Sequence, residues 1–479
     1  MVDVAKTRVS NPPPPGRNVP KGVLSGPILP VLLRLALPTT VVLVAQTLVG
    51  VVETWFLGFL GTETLAGVTL VFPVLMLMQM MANGGMGGGV AAAIARAQGA
   101  GRTADADALV WHAVILALSF GAIFSVALLL GGPLLYRSMG GTGQALTAAL
   151  TYSGVVFAGS IPIWVTSLLS AALRGAGNMR VPAIVTLSGF AILLPLSPAL
   201  IFGWGPFPQL GVAGGGVAVV IYYLLATLAL VLYMRSPASP VRLGIAPLNL
   251  RLFRQILGVG LLSAVGTVQV NLTVVLVTAA VGRFGPDAIA GYGIASRLDY
   301  IQIPILFGIG TALLTMVGIS VGAGEMARAR RIAWTGAALA FAVTAGIGIT
   351  ALLFPHVWIG LFSDAPEVHA MGALYIRHVA PVYGAIGGGL ALYFASQGAG
   401  RVLAPVLAGT MRMIIAAFIG WTAVVRYGAG PATLFQIVAL AGLVYGGLTA
   451  IAMLLGTWAP PTDRPNRVPT TRPYTERNG

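Results

Sequence analysis

The stretch "VGVVETWFLGFLG", residues 49–61, sets a single carboxylate, Glu53, among residues that are otherwise apolar or small. From Val31 to Leu60 the only other charge is Arg34. A run of this kind is long enough to cross a bilayer, which takes about 20 apolar residues in a helix. An ionised acid near the bilayer centre costs roughly 2.5–3.5 kcal/mol on insertion scales. Both the fold class and the chemistry turn on why the chain carries it.

Of 479 residues, 57% are hydrophobic and 8% are charged, whereas a soluble protein has about a quarter of its residues charged. Long apolar segments recur from end to end. This reads as an all-α polytopic membrane protein in contact with the lipid bilayer. The 64 glycines fit close approach of helices in lipid. The absence of cysteine excludes disulfides and thiolate metal sites. Residues 1–27 lack the apolar core of a cleavable signal peptide. They read, like residues 459–479, as a basic, Pro-containing disordered tail on the cytoplasmic side. The net charge of +15 raises nucleic acid as a partner, but its placement argues for membrane topology instead and for no nucleic acid.

Twelve apolar segments of transmembrane length lie near 31–57, 65–92, 108–132, 145–172, 181–203, 212–234, 256–281, 288–321, 332–354, 367–396, 403–425 and 434–457. The 27 basic residues alternate between the loops. Nearly all fall in the tails, in the central loop 235–255, or in the loops after even-numbered spans. Arg34 opens the first span on the same side; the exceptions are Arg137, Arg283 and Arg426 on the other side, and Arg297, Arg377 and Arg412 inside spans. The positive-inside rule then places both termini in the cytoplasm of a multi-pass protein of the cytoplasmic (inner) membrane.

The two halves repeat. "LGTETLAG" (60–67) aligns with "FGPDAIAG" (284–291), matching Gly61, Ala66 and Gly67 to Gly285, Ala290 and Gly291. "QGAGRTADA" (98–106) aligns with "VGAGEMARA" (321–329), and "RGAGNMRVP" (174–182) with "QGAGRVLAP" (397–405), all at a shift of about 223 residues. Six spans separate equivalent points, so the repeats share one orientation and are related by an axis along the membrane normal. Parallel repeats with a site between them are one plan of secondary transporters. The expected layout is an N-lobe over 28–234, a cytoplasmic linker over 235–255 and a C-lobe over 256–458, with six helices in each lobe around a central cleft.

Several longer stretches carry a family resemblance. "LALPTTVVLVAQTLVGVVETWFLGFLGTETLAGVTL", "AAIARAQGAGR", "ALRGAGNMRVPAI", "ALIFGWGP" with "LGVAGGGVA", and "GIGTALLTMVGISVGAGEMARARR" resemble the multidrug and toxic compound extrusion family. The matches spread over roughly residues 30–430. The resemblance implies two six-helix lobes around a V-shaped cleft. It also implies ion-coupled antiport that exports organic, often cationic, compounds without a cofactor. In that family an acid in the first span, within a "DT" or similar pair, is the usual N-lobe proton or cation site, and "ETW" puts Glu53 there. The family often carries Asn and Asp in the fifth span, where "LLPLSPALIFG" has Leu193 and Ser197.

Only two of the twelve acids fall well inside spans, Glu53 and Asp299. Glu53 shares one helical stripe with Gln46 and Gly50, which should face the lobe interior or the cleft rather than lipid. Burial disfavours a charged carboxylate, so an acid here can load and lose a proton. The competing reading is a permanently protonated acid that ties two helices together. Asp299 can either pair with Arg377 or Arg412 across the C-lobe or take part in coupling. Some family members bind sodium through acids in spans seven and ten. Here span seven offers Gln269, Asn271 and Thr273, and span ten offers Tyr375, Arg377, His378 and Tyr383, with no acid. His378 reads as a structural hydrogen-bonder; the others, with Gln46, are expected to line the cleft rather than hold a metal, which favours H+ over Na+ as the coupling ion.

"MMANGGMGGGVAAA" (80–93) has the glycines of a phosphate-binding loop but lacks its Lys-[Ser/Thr] ending. It reads instead as a small-residue helix face that permits close packing or bending. Two isolated intramembrane acids and four histidines fit an enzyme poorly. The expected function is a non-enzymatic antiporter of small organic substrates, sufficient as a monomer because one chain holds both halves. Export of a lipid-linked sugar or a specific metabolite remains the alternative, kept open by Arg297, Arg377 and Arg412.

Overall fold

The computed structural model describes residues 22–456 and Trp458; the tail segments 1–21 and 459–479 lie outside the described residues. Eleven long helices and one bent pair provide twelve potential spans, and the described residues contain no strand. We label them α1 (Ile28–Gly58), α2 (Thr62–Gly99), α3 (Thr103–Ser138), α4 (Gly143–Ala158 with Ser160–Gly175), α5 (Arg180–Phe202) and α6 (Val212–Arg235). The second set is α7 (Leu250–Phe284), α8 (Pro286–Gly322), α9 (Met326–Leu353), α10 (Pro366–Ala399), α11 (Leu403–Tyr427) and α12 (Pro431–Leu454). Starts pair at a spacing of about 220 residues throughout. The repeat read from the sequence is therefore a repeat of helices.

The aligned motifs owe their glycines to the backbone. Gly61 and Gly285, Gly101 and Gly324, and Gly177 and Gly400 all adopt positive φ at matching turns, a region nearly closed to other residues. The fourth span is broken by 50° at Gly159. A Cβ there would strike Val220 of α6. Pro162 sits in the first turn of the second segment, where its missing N–H leaves no partner unbound. Its counterpart α10 breaks at the 3-10 turn Ala380–Val382, which contains Pro381. The Gly-rich stretch of α2 forms a π turn, Met81–Met86, and a second π turn occupies Ile414–Ile419 of α11.

Two cores span both lobes at the end that carries the arginine-rich loops. One joins α2, α3 and α4 to Leu252, Ile256, Leu314 and Phe394. The other joins Leu32, Leu35 and Ala95 to Ile309, Leu313 and Ile319. Toward the opposite end the cores separate. One holds only N-lobe residues such as Val49, Phe190 and Tyr222; the other holds only C-lobe residues such as Val277, Tyr375 and Phe435. The lobes thus meet at one end and part at the other. Small residues make the meeting possible: a Cβ on Gly89 would strike the Ile256 carbonyl, one on Gly99 the Ile319 carbonyl, and one on Gly322 the Arg96 carbonyl.

The first helix of each lobe is rooted in the other. Arg328, in the first turn of α9, donates to the carbonyls of Gly22, Val23 and Gly26 just before α1, at 2.7–3.1 Å. Val23 is fully buried, so the N-lobe's ordered chain begins several residues before the expected 28. Asp105, in the first turn of α3, accepts from Arg251 at the start of α7 at 3.0 Å. The linker is shorter than expected, since α7 begins at Leu250. Gln98 donates to Pro240, Asp107 accepts the Arg242 N–H, and His112 accepts the Asn249 N–H.

The lack of native cysteine allows a clean test of the closed end. Ser263 is fully buried at the seam, and Ser263→Cys is nearly isosteric. In detergent this cysteine should resist maleimide. Adding Gly89→Leu should speed its labelling by about tenfold or more, because the leucine cannot share the space held by Ile256 and Gly260.

Candidate functional site

Glu53 turns into the N-lobe between α1 and α5 and is 8% exposed. On α1, Val49, Glu53 and Leu57 are buried at helical spacing, while Val51, Trp55 and Phe59 face outward. The Ser197 hydroxyl of α5 donates to Glu53 Oε2 at 2.9 Å. Oε1 has no partner among the described residues. The only ion pairs there involve Asp105, so Glu53 has no counter-ion within that set. Ser197 itself is fully buried and lies between Pro195 and Pro198 of α5. These prolines remove two backbone donors and loosen the helix at that level.

The polar stripe expected on α1 divides. Gln46 Nε2 donates to Gln79 Oε1 of α2 at 3.2 Å, which ties the first two helices. Gly50 is exposed with open space beside it. Glu53 alone enters the lobe. Its partner, Ser197, is a neutral donor.

The C-lobe has its own buried acid. The Tyr375 hydroxyl donates to Asp299 Oδ2 at 2.7 Å. The buried Tyr383 hydroxyl, itself without a hydrogen bond of good geometry, faces the same carboxyl. Tyr292 and Phe435 pack edge-on against Tyr375, each at 5.2 Å. Among the described residues no arginine forms an ion pair with Asp299. Arg377 is exposed, Arg297 lies over the Phe362 ring, and Arg412 lies over the Tyr445 ring. Tyrosine hydroxyls take the place that the sequence reading offered to an arginine.

Gln269 donates to Thr410 of α11 at 2.8 Å, inside the C-lobe. Asn271 donates to the Thr267 carbonyl at 2.9 Å, and its amide lies 3.9 Å from Met80 Sδ across the seam. Thr273 bonds back to the Gln269 carbonyl. His378 Nδ1 lies 2.8 Å from the Leu374 carbonyl. Among the described residues no group of three His, Asp or Glu side chains is placed to hold a metal ion.

The sequence reading passed over the polar groups at the seam. Arg96 donates to the carbonyls of Gly398 at 3.1 Å and Gln397 at 3.4 Å. Gln397 donates back to Gly84 at 3.2 Å and to Ser263 at 2.7 Å. Thr315 donates to the Arg174 carbonyl at 2.9 Å. The signal was available, since Arg174 and Gln397 head two of the aligned motifs.

Two pseudo-symmetric six-helix lobes, joined at one end and parted at the other, define a multi-pass membrane transporter rather than an enzyme. The chain belongs to the MatE family, whose model matches residues 38–199 and again 263–422, one match in each lobe. A probable multidrug resistance protein NorM of Thermotoga maritima is 29% identical over 380 residues, covering 78% of this chain and 81% of its own. An FAD transporter of Shewanella oneidensis is 24% identical over 371 residues, covering 76% and 81%. A solved multidrug resistance MATE family transporter, described as outward-facing, superposes with a TM-score of 0.83 at 23% identity, covering 92% of this chain and 99% of that one.

The Asp299–Tyr375 bond is open to a double-mutant cycle. Asp299→Asn and Tyr375→Phe, alone and together, should give a coupling of about 1–3 kcal/mol in chemical denaturation in detergent. Coupling within error of zero would mean that the hydrogen bond does not stabilise the C-lobe.

Proposed function

We propose that the protein is a proton-coupled antiporter of the cytoplasmic membrane that exports organic, often cationic, compounds by alternating access. The observation that carries this reading is the setting of Glu53: buried, with one hydroxyl donor, a free second oxygen and no counter-ion among the described residues. Burying an unpaired carboxylate is far more costly than burying the neutral acid. Such a site tolerates a proton-loaded state, and to lose the proton it must gain water or a cation. Hard cations take several oxygen ligands. One serine hydroxyl beside Glu53 suits H+ better than Na+.

The arginine-rich loops support cytoplasmic termini, and the cleft then opens outward in this structure. In that state protonated Glu53 leaves no charge to hold a cation, and cargo is released. Facing inward, loss of the proton restores a negative charge that favours a cationic or polar-aromatic substrate. Each proton carried inward gains about 2.3 kcal/mol per 100 mV of membrane potential. Pseudo-symmetric lobes within one chain support function as a monomer. The NorM relative supports multidrug efflux; the FAD transporter relative supports export of a specific metabolite as a second reading.

Transport in proteoliposomes under imposed gradients tests this. With the wild-type protein an inward proton gradient should drive export of a cationic dye, and a sodium gradient alone should not. Glu53→Gln should reduce gradient-driven export by about tenfold or more while leaving the protein folded. Full gradient-driven export by Glu53→Gln would refute the coupling role of Glu53, and drive by sodium alone would refute the choice of ion.

A further inference from the structure

The linker 235–255 joins two spanning helices, so it lies at their common end, level with the membrane surface. Its backbone is pinned along the N-lobe. The Pro240 carbonyl accepts from Gln98, and the Arg242 N–H donates to Asp107. The Leu243 N–H donates to the Met234 carbonyl at 3.1 Å, and the Asn249 N–H donates to His112. Val241 is fully buried and Leu243 packs on the N-lobe core. The next large apolar side chains do the opposite: Ile245, Leu248 and Leu250 are 87%, 63% and 64% exposed. The backbone is held on both sides of Ile245 and Leu248, so the structure itself presents this apolar surface.

The flanking helices show what covers it. On α6, Leu224, Leu228, Leu232 and Arg235 share one exposed face at helical spacing. On α7, Leu250, Arg254, Gly258 and Leu261 do the same. The cores of the two lobes are joined at this end, which leaves no cleft here for these faces to line, and they meet lipid. Each lipid-facing stripe carries an arginine beside the linker, with Arg254 about 10 Å along the helix from Leu261. The linker holds four arginines and no acid. The ion pairs among the described residues are those of Asp105 with Arg102 and Arg251, so Arg235, Arg242 and Arg254 have no carboxylate partner in that set. All three are exposed.

We propose that the linker is a membrane-surface docking element for anionic phospholipids. Ile245, Leu248 and Leu250 enter the acyl boundary, while Arg235, Arg242 and Arg254 hold the headgroup phosphates. Aliphatic side chains set among basic ones are the pattern of a segment lying in the interface. Arginine stems can run along apolar surface and keep the guanidinium at headgroup level. A zwitterionic headgroup carries its own cation beside the phosphate, so the arginines favour lipids of net negative charge. Topology alone needs only that the charges stay on one side. Here aliphatic residues face the same boundary on a pinned backbone. The inference goes beyond the transport reading and holds whatever the cargo, the coupling ion or the direction of insertion.

The chain lacks cysteine, so Leu248→Cys can carry a single nitrobenzoxadiazole label on the full-length protein. The labelled protein is placed in phosphatidylcholine nanodiscs that contain a small, equal fraction of doxyl-labelled phosphatidylglycerol or doxyl-labelled phosphatidylcholine. Both lipids should quench the label, and the phosphatidylglycerol should quench it more strongly by about twofold or more. Adding Arg242→Gln and Arg254→Gln should remove that excess while quenching by phosphatidylcholine persists. Raising salt should shrink the excess as well. Ile245→Cys repeats the measurement if the label at 248 disturbs folding. A label that neither lipid quenches, but aqueous iodide does, would leave the surface free for a protein partner and overturn the proposal. Equal quenching by the two lipids without the arginine substitutions, or an excess that survives them, would overturn it too.

Discussion

Where α2 crosses α7 and α8, glycines stand in place of side chains, so that backbone atoms of opposite lobes come into contact. In lipid the helices gain nothing from hiding apolar surface from one another, because acyl chains are as apolar as leucine. Association then rests on close packing and on polar bonds across the interface. Both occur along the seam, where Gly85, Gly88 and Gly89 lie against the C-lobe and where Arg96, Gln397 and Thr315 bridge the lobes. Small residues and short polar links together hold the two lobes in close contact along the seam.

Within each lobe the polar chemistry is arranged differently. The acids sit at positions that the repeat does not equate, one beside a serine on a proline-loosened helix and the other beside tyrosines in an aromatic cluster. Duplication kept the turns, the breaks in the fourth and tenth spans and the helix starts, because backbone geometry fixes them. It left the buried groups free to diverge. The same scaffold thereby carries two unlike ionisable sites and, at the seam, an arginine in one half where the other half has glutamine.

Much of the architecture was legible before any coordinates. Apolar length marked the spans, and motifs such as "RGAGNMRVP" and "QGAGRVLAP" matched because each requires a glycine at positive φ in the same turn. The bend at Gly159 was not readable, since it depends on the approach of Val220 from a helix distant in sequence. Glu53 announced itself through the cost of a charge in lipid, but its partner did not. Ser197 was noticed only as a departure from the expected amide and acid pattern, and a serine in a span most often bonds its own helix. The arginine partners offered for Asp299 gave way to Tyr375, whose neutral hydroxyl can approach a buried acid without bringing a second charge out of water.

Asp105 and Arg328 occupy equivalent places in the two halves, and each grips the root of the other lobe's first helix. They do so with opposite chemistry. One is a partly exposed ion pair, weakened by dissolved salt; the other is a cation set into a ring of backbone carbonyls, where screening has less purchase. The two first helices are therefore anchored at the closed end by contacts of unequal sensitivity to ionic strength. Raising salt weakens the contact that roots α7 more than the contact that roots α1.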